Sequence, residues 1–188
     1  MRLFVAANLT PQVRGLIAAQ IENFPVRRPS WRWTQPDTWH VTLKFIGETP
    51  EDDVPLIETC LQLIAARHRA FALTLRAFGG FPDLRRPRVL FYKVETGAEP
   101  LTQLAADIET GFSDELGIPR EDRPFRAHVT IARVKTPLPP EVTSALGRVP
   151  ALEGAAQTIS FIDLMKSELQ RGGAQYQRLK QFALVPSP

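Results

Sequence analysis

Cysteine is almost absent from this 188-residue chain: Cys60 stands alone. That excludes an intrachain disulfide and a cysteine-built zinc site, and it points to a reducing, cytoplasmic compartment. Histidine is nearly as scarce, at 40, 68 and 128. No apolar run approaches the roughly 18–20 residues that a membrane span needs. The opening Met1–Asn8 is only briefly apolar before Asn8, Thr10 and Pro11 interrupt it, so it reads as a first strand and not as a signal peptide. Low-complexity tracts and linkers are missing too. With 44% hydrophobic residues, 1–188 is expected to be one globular domain, and a monomer. Lysine is confined to positions 44, 93, 135, 166 and 180, so arginine supplies most of the 23 basic residues that outweigh 20 acidic ones. Arginine favours bidentate binding of phosphate, although a GC-rich genome produces the same bias.

The pattern of apolar residues predicts alternating strands and helices. Arg2–Asn8 reads as a strand. Thr10-Pro11 then supplies an N-cap and a first-turn proline for a helix through Phe24. Pro25–Pro29 is expected to turn, Trp31–Thr34 to form a short strand, and His40–Ile46 a clear one ended by Gly47. A second helix opens at Thr49-Pro50 or, because of Pro55, somewhat later. Strands are expected over Phe71–Phe78 and Arg88–Val94, joined by a Gly79-Gly80-Phe81-Pro82 turn, and a helix over Glu99–Leu116. Arg126–Val134 reads as a strand and Pro140–Leu146 as a short helix. Two long strands, Thr158–Leu169 and Gln175–Val185, close the chain around Gly172-Gly173. The class is α+β, with a mixed or antiparallel sheet.

Two of the three histidines open the same word. His40-Val41-Thr42-Leu43 recurs 88 residues later as His128-Val129-Thr130-Ile131. In a strand, positions i and i+2 share a face, so each copy presents an imidazole beside a hydroxyl and turns its apolar residues the other way. Two such presentations suggest two lobes facing one cleft. Paired imidazoles suit a reaction in which one proton is removed and another delivered near neutral pH, and hydroxyl donors suit an anionic group such as phosphate. The residues alone do not say which histidine is acid and which is base.

Paired H-x-T-x motifs at this spacing resemble the 2H phosphoesterase superfamily, and within it the RNA 2′,3′-cyclic phosphodiesterase branch, historically called 2′-5′ RNA ligase. The resemblance spans nearly the whole chain. It includes Arg2-Leu3-Phe4-Val5-Ala6, Arg32-Trp33 before the first motif, Lys44-Phe45-Ile46-Gly47 after it, Phe78-Gly79-Gly80-Phe81-Pro82, Arg123-Pro124-Phe125, and Ala132-Arg133. Ala127 departs from the proline common before the second histidine, and Ile131 from the commoner leucine. The resemblance implies a bilobal, pseudo-twofold α+β fold with flanking helices and one motif from each lobe in a central cleft. It also implies opening of a 2′,3′-cyclic phosphate on RNA (tRNA halves among the candidates) to a 2′-phosphate without metal, ATP or other cofactor, and 2′-5′ ligation in reverse. By that resemblance His128 is the proton acceptor, His40 the proton donor, and Thr42 and Thr130 hold phosphate oxygens.

Other residues invite plainer readings. His68, at a helix end, is expected at the surface or as a cap, and Glu51-Asp52-Asp53 are helix-start acids rather than a metal site. Arg133, five residues after His128, would be turned away by a regular strand, yet the resemblance favours a substrate contact through a bend. Lys44 would share the face of His40 and Thr42, there to touch an RNA backbone or to stand as a plain rim lysine. Trp31, Trp33, Trp39, Phe81 and Tyr176 could stack a base, or simply fill the core. A phosphoesterase acting on a small cyclic-phosphate nucleotide, and an RNA-binding module without turnover, are the competing functions.

Overall fold

The computed structural model describes residues 1–24, 31–170 and 173–187. Its elements, in chain order, are β1 (Arg2–Asn8), α1 (Pro11–Glu22), β2 (Arg32–Trp33), β3 (His40–Glu48), α2 (Val54–Ala65), β4 (Phe71–Phe81), β5 (Val89–Val94), α3 (Ala98–Leu116), β6 (His128–Arg133), α4 (Pro140–Leu146), β7 (Ala156–Ile159), β8 (Phe161–Gln170) and β9 (Gly173–Ala183). Two short 3-10 turns, Pro36–Thr38 and Glu51–Asp53, precede β3 and α2. The expected basic turn over 25–29 lies outside the described residues.

Local chemistry explains the helix starts. Thr10 caps α1 by accepting the Val13 N–H, with proline in the first turn. The acids 51–53 occupy the 3-10 turn, and α2 itself begins only at Val54, with Pro55 in its first turn. Two expected boundaries move. Gly79, Gly80 and Phe81 belong to β4, because Phe91, Leu90 and Val89 of β5 pair with them, so the turn starts at Pro82. The long strand expected over Thr158–Leu169 is two. β7 pairs with β4 and β8 pairs with β1, so the chain changes sheet neighbours at Ser160.

The strand order is β7-β4-β5-β6-β3-β1-β8-β9, with β2 beside β6, and the pairings between these strands are antiparallel. At the centre, β3 and β6 meet through the single pair Val41↔Val129. Each motif therefore sits on one of the two central strands, where the two halves of the sheet diverge. One sheet face is packed. Leu3, Val5, Val41, Leu90, Tyr92, Val129 and Leu164 join the main core, and α2 and α3 pack over β3, β8 and β9. On the other face a small apolar patch of Phe4, Ala6 and Met165 lies among polar groups. Among the described residues no helix is long and apolar enough to cross a membrane.

Candidate active site

Val41 and Val129 face the core from adjacent strands. Alternation then puts His40, Thr42, His128 and Thr130 together on the opposite face. Beyond the single Val41↔Val129 pair the strands part: Thr34 Oγ1 donates to the Thr130 carbonyl, and Arg32 and Trp33 of β2 pair with Arg133 and Ala132 of β6.

Both rings are held in the same way. His40 Nδ1 donates to the Thr38 carbonyl at 2.6 Å, and His128 Nδ1 donates to the Arg126 carbonyl, also at 2.6 Å. A proton fixed on Nδ1 leaves each Nε2 as the working atom. Two aromatic rings flank each histidine: Phe4 at 5.0 Å and Tyr176 at 5.4 Å from His40, and Phe81 at 4.9 Å and Phe91 at 5.2 Å from His128. The sequence offered Phe81 and Tyr176 as stacking residues; Phe4, Phe91 and the two carbonyls went unseen. A main-chain acceptor two residues upstream leaves no mark in the side-chain sequence, whereas the pairing of Phe91 with Thr130 becomes visible once the register is known.

The surroundings favour neutral imidazoles. Burial, together with the charges of Arg14 and His128, lowers the His40 pKa to about 4, against the opposing bond to Thr38. Burial and the Arg133 guanidinium lower that of His128. In the neutral state Thr42 Oγ1 donates to His40 Nε2 at 2.9 Å.

A matched irregularity follows both motifs. Ala6 pairs with Thr42 but Val5 with Lys44, leaving Leu43 as an extra residue; Phe91 pairs with Thr130 but Leu90 with Ala132, leaving Ile131 extra. A β-bulge of this kind reverses the facing of everything beyond it. Arg133 thereby returns to the face of His128 and Thr130, which is the bend that the resemblance required. Lys44 goes the other way, and its expected place beside His40 and Thr42 is corrected. It is 3% exposed on the core face, with Nζ 2.9 Å from Glu109 and 2.7 Å from the Pro119 carbonyl. Phe45, at the position equivalent to Arg133, takes the open face instead, 6.2 Å from Phe4.

The remaining candidates separate cleanly. Trp31 and Trp39 are core residues. His68 binds Asp107 at 2.9 Å and ties the end of α2 to α3. Arg126 lies 6.0 Å from the Phe81 ring, on the His128 side. Among the described residues no three His, Cys, Asp or Glu side chains converge as a ligand set.

Residues 6–169 match the model of the 2′-5′ RNA ligase superfamily. The chain belongs to that superfamily. An RNA 2′,3′-cyclic phosphodiesterase of Thermus thermophilus is 37% identical over 191 residues, covering 98% of this chain and 90% of the relative. A crystal structure of a Thermus thermophilus protein superposes with a TM-score of 0.80 at 35% identity, over all of both chains. E. coli LigT complexed with 3′-AMP gives a TM-score of 0.79 at 25% identity, over 97% of each chain. The α+β class and the fold implied by the motifs are therefore those of LigT-type phosphoesterases.

Gly79 protects this superfamily site from within. A Cβ there would lie 2.7 Å from two ring atoms of Phe91, the ring packed 5.2 Å from His128. Gly79→Ala is expected to push Phe91 against His128, shifting the His128 ring-proton resonances and lowering kcat by up to about a hundredfold. Unchanged His128 resonances would show that Phe91 yields without consequence.

Proposed function

We propose that the protein hydrolyses RNA 2′,3′-cyclic phosphate ends to 2′-phosphates, without metal or ATP, by paired histidine acid–base catalysis. The observation that carries this is two Nδ1-anchored imidazoles on adjacent strands, each sharing its face with the threonine two residues on, with one arginine on the same face. Relatives named RNA 2′,3′-cyclic phosphodiesterase, and a LigT complex with 3′-AMP, support the substrate class.

In this reaction His128 Nε2 takes a proton from water as the water oxygen attacks phosphorus. The P–O3′ bond breaks, and His40 Nε2–H delivers its proton to O3′. Thr42, Thr130 and Arg133 hold the non-bridging oxygens as charge gathers on them. The bond from Thr42 to His40 is exchanged for one to phosphate, and the phosphate charge favours protonation of His40. A 5′-hydroxyl attacking in place of water would leave a 2′-5′ phosphodiester, which is the ligase reaction. The two halves of the sheet act as lobes, each bringing one motif to a shared cleft in a single cytoplasmic domain.

The decisive experiment is ³¹P NMR of an oligoribonucleotide with a 2′,3′-cyclic phosphate end, incubated with the protein in EDTA. A 2′-phosphate resonance is expected. A 3′-phosphate would reverse the leaving group, and an unchanged cyclic signal would overturn the proposal.

The pH profile has a determined sign. His40 must be protonated and His128 neutral, and both free-enzyme pKa values lie below 6.5, near 4 for His40. The maximum of kcat/KM is therefore expected below pH 6.5, with the alkaline limb falling about tenfold per pH unit. In the complex the phosphate anion raises the His40 pKa, so the alkaline limb of kcat moves upward from that of kcat/KM. A kcat/KM limb at pH 7 or above would contradict this order.

A further inference from the structure

Beyond His40, away from β6, the cleft continues into a cavity of about 270 Å³ that the two-histidine chemistry does not use. Three of its lining residues adjoin His40: Thr38, whose carbonyl anchors the ring, Tyr176 beside it, and Asn8, its cross-strand partner. Arg14 of α1, Arg178 of β9 and Asp37 line it as well.

The arginines are under-used. Among the described residues neither guanidinium makes a hydrogen bond, and Arg14 Nε is buried without a partner. A buried N–H left unpaired is costly, and such groups mark places where a missing partner belongs. Arg178 approaches Asp163 only to 3.8 Å. That buried carboxylate is already held by Asn8 at 2.7 Å and by Gln181 at 3.0 Å. Asp37 lies near Arg14 but not within 4.0 Å of it as an ion pair, so both forks keep donors free.

We propose that this cavity binds a second phosphate, the one attached to the 5′ side of the terminal nucleoside. The inference rests on the cyclic phosphodiesterase reading. If His40 protonates O3′, the terminal ribose lies against His40, and its 5′ oxygen leads away from the scissile phosphorus into the space between Arg14 and Arg178. Planar guanidinium forks match phosphate oxygens, and contacts of this kind fix register without reading sequence. The phosphate is either the internucleotide diester of an RNA or the 5′-phosphate of a small nucleotide.

The test compares kcat/KM on three substrates: adenosine 2′,3′-cyclic phosphate, its 5′-phosphorylated form, and the dinucleotide ApA ending in a 2′,3′-cyclic phosphate. Wild-type protein is expected to prefer both substrates with a second phosphate by about tenfold or more. That preference should weaken with added salt. Preference for the dinucleotide alone, unmoved by arginine substitution, would assign the cavity to the upstream base and overturn the proposal. Arg14→Gln with Arg178→Gln should bring the three substrates to within about twofold of one another. Because the readout is a ratio, any effect of Arg14 on His40 common to all substrates cancels. Equal wild-type values, or variants that lose the same factor on all three, would also overturn it, while turnover of the mononucleotide would leave the phosphodiesterase reading standing. No turnover of any substrate would remove that reading, and the inference with it. The wild-type comparison needs no variant, and Arg178 is 56% exposed, so folding does not decide the result.

Discussion

His40→Ala and His128→Ala are each expected to lower kcat on a 2′,3′-cyclic phosphate by about 10²–10⁴-fold, the range that a positioned acid or base contributes. Far-UV circular dichroism should stay that of the wild type. Both rings lie on the cleft face outside the main core, so their truncation opens no void there. Equal losses would not separate the roles, but leaving-group chemistry does. A substrate with sulfur in place of O3′ expels a thiolate, which is far less basic than an alkoxide and needs no proton on departure. His40→Ala should regain most of its lost rate on that substrate. His128→Ala should not, because attack on phosphorus still requires a base. The inverse pattern would exchange the two roles, and rescue of neither would remove general-acid catalysis from the scheme.

The parts of this site that follow from strand alternation were legible before any fold was known. His40 and Thr42, and likewise His128 and Thr130, share a face because i and i+2 always do in an unbroken strand. The apolar partners Val41 and Val129 mark the opposite, buried face. Legibility ended one residue later. Counting onward from His40 assigns Lys44 to the cleft, and counting onward from His128 assigns Arg133 away from it; both assignments invert because Leu43 and Ile131 are bulged. A bulge is a property of two strands in register, and the partners Val5 and Leu90 lie some forty residues away in sequence. Consecutive buried residues, Leu43-Lys44 and Ile131-Ala132, are its trace, but they look like ordinary apolar or mixed runs until burial is known. The same limit applies at Ser160. Nothing in Thr158–Leu169 indicates that its first part will pair with β4 and the rest with β1.

The paired bulges make the second large prediction, a contrast between two cations that sequence alone would rank the other way round. Arg133→Gln is expected to cost about 10²–10³-fold in kcat, the loss seen when one donor to a developing oxyanion is removed, with little change in stability, since the side chain lies exposed on the open face. Lys44→Met should do the reverse. Its ammonium is enclosed by Glu109 and the Pro119 carbonyl, and removing one member of such a pair strands the other, at a cost of about 3–5 kcal/mol. Glu109 also accepts the Glu121 N–H, so the loop leading toward His128 loses part of its anchorage in that variant. Lys44→Met should therefore lower the denaturation midpoint, while the fraction still folded turns over cyclic phosphate within a few-fold of wild type. Urea titration followed by single-turnover kinetics at low denaturant separates the two effects. A Lys44 variant that is stable but inactive, or an Arg133 variant that is active but unstable, would mean that the bulges do not set the faces of these side chains. The asymmetry has a chemical sense: in one half the bulge delivers Phe45 to the open face and in the other it delivers Arg133, so a duplicated strand motif acquires one apolar and one cationic flank. A cyclic phosphate joined to a nucleoside has the same two-sided character, and on the proposed reaction the unlike flanks would give it one preferred orientation between His40 and His128.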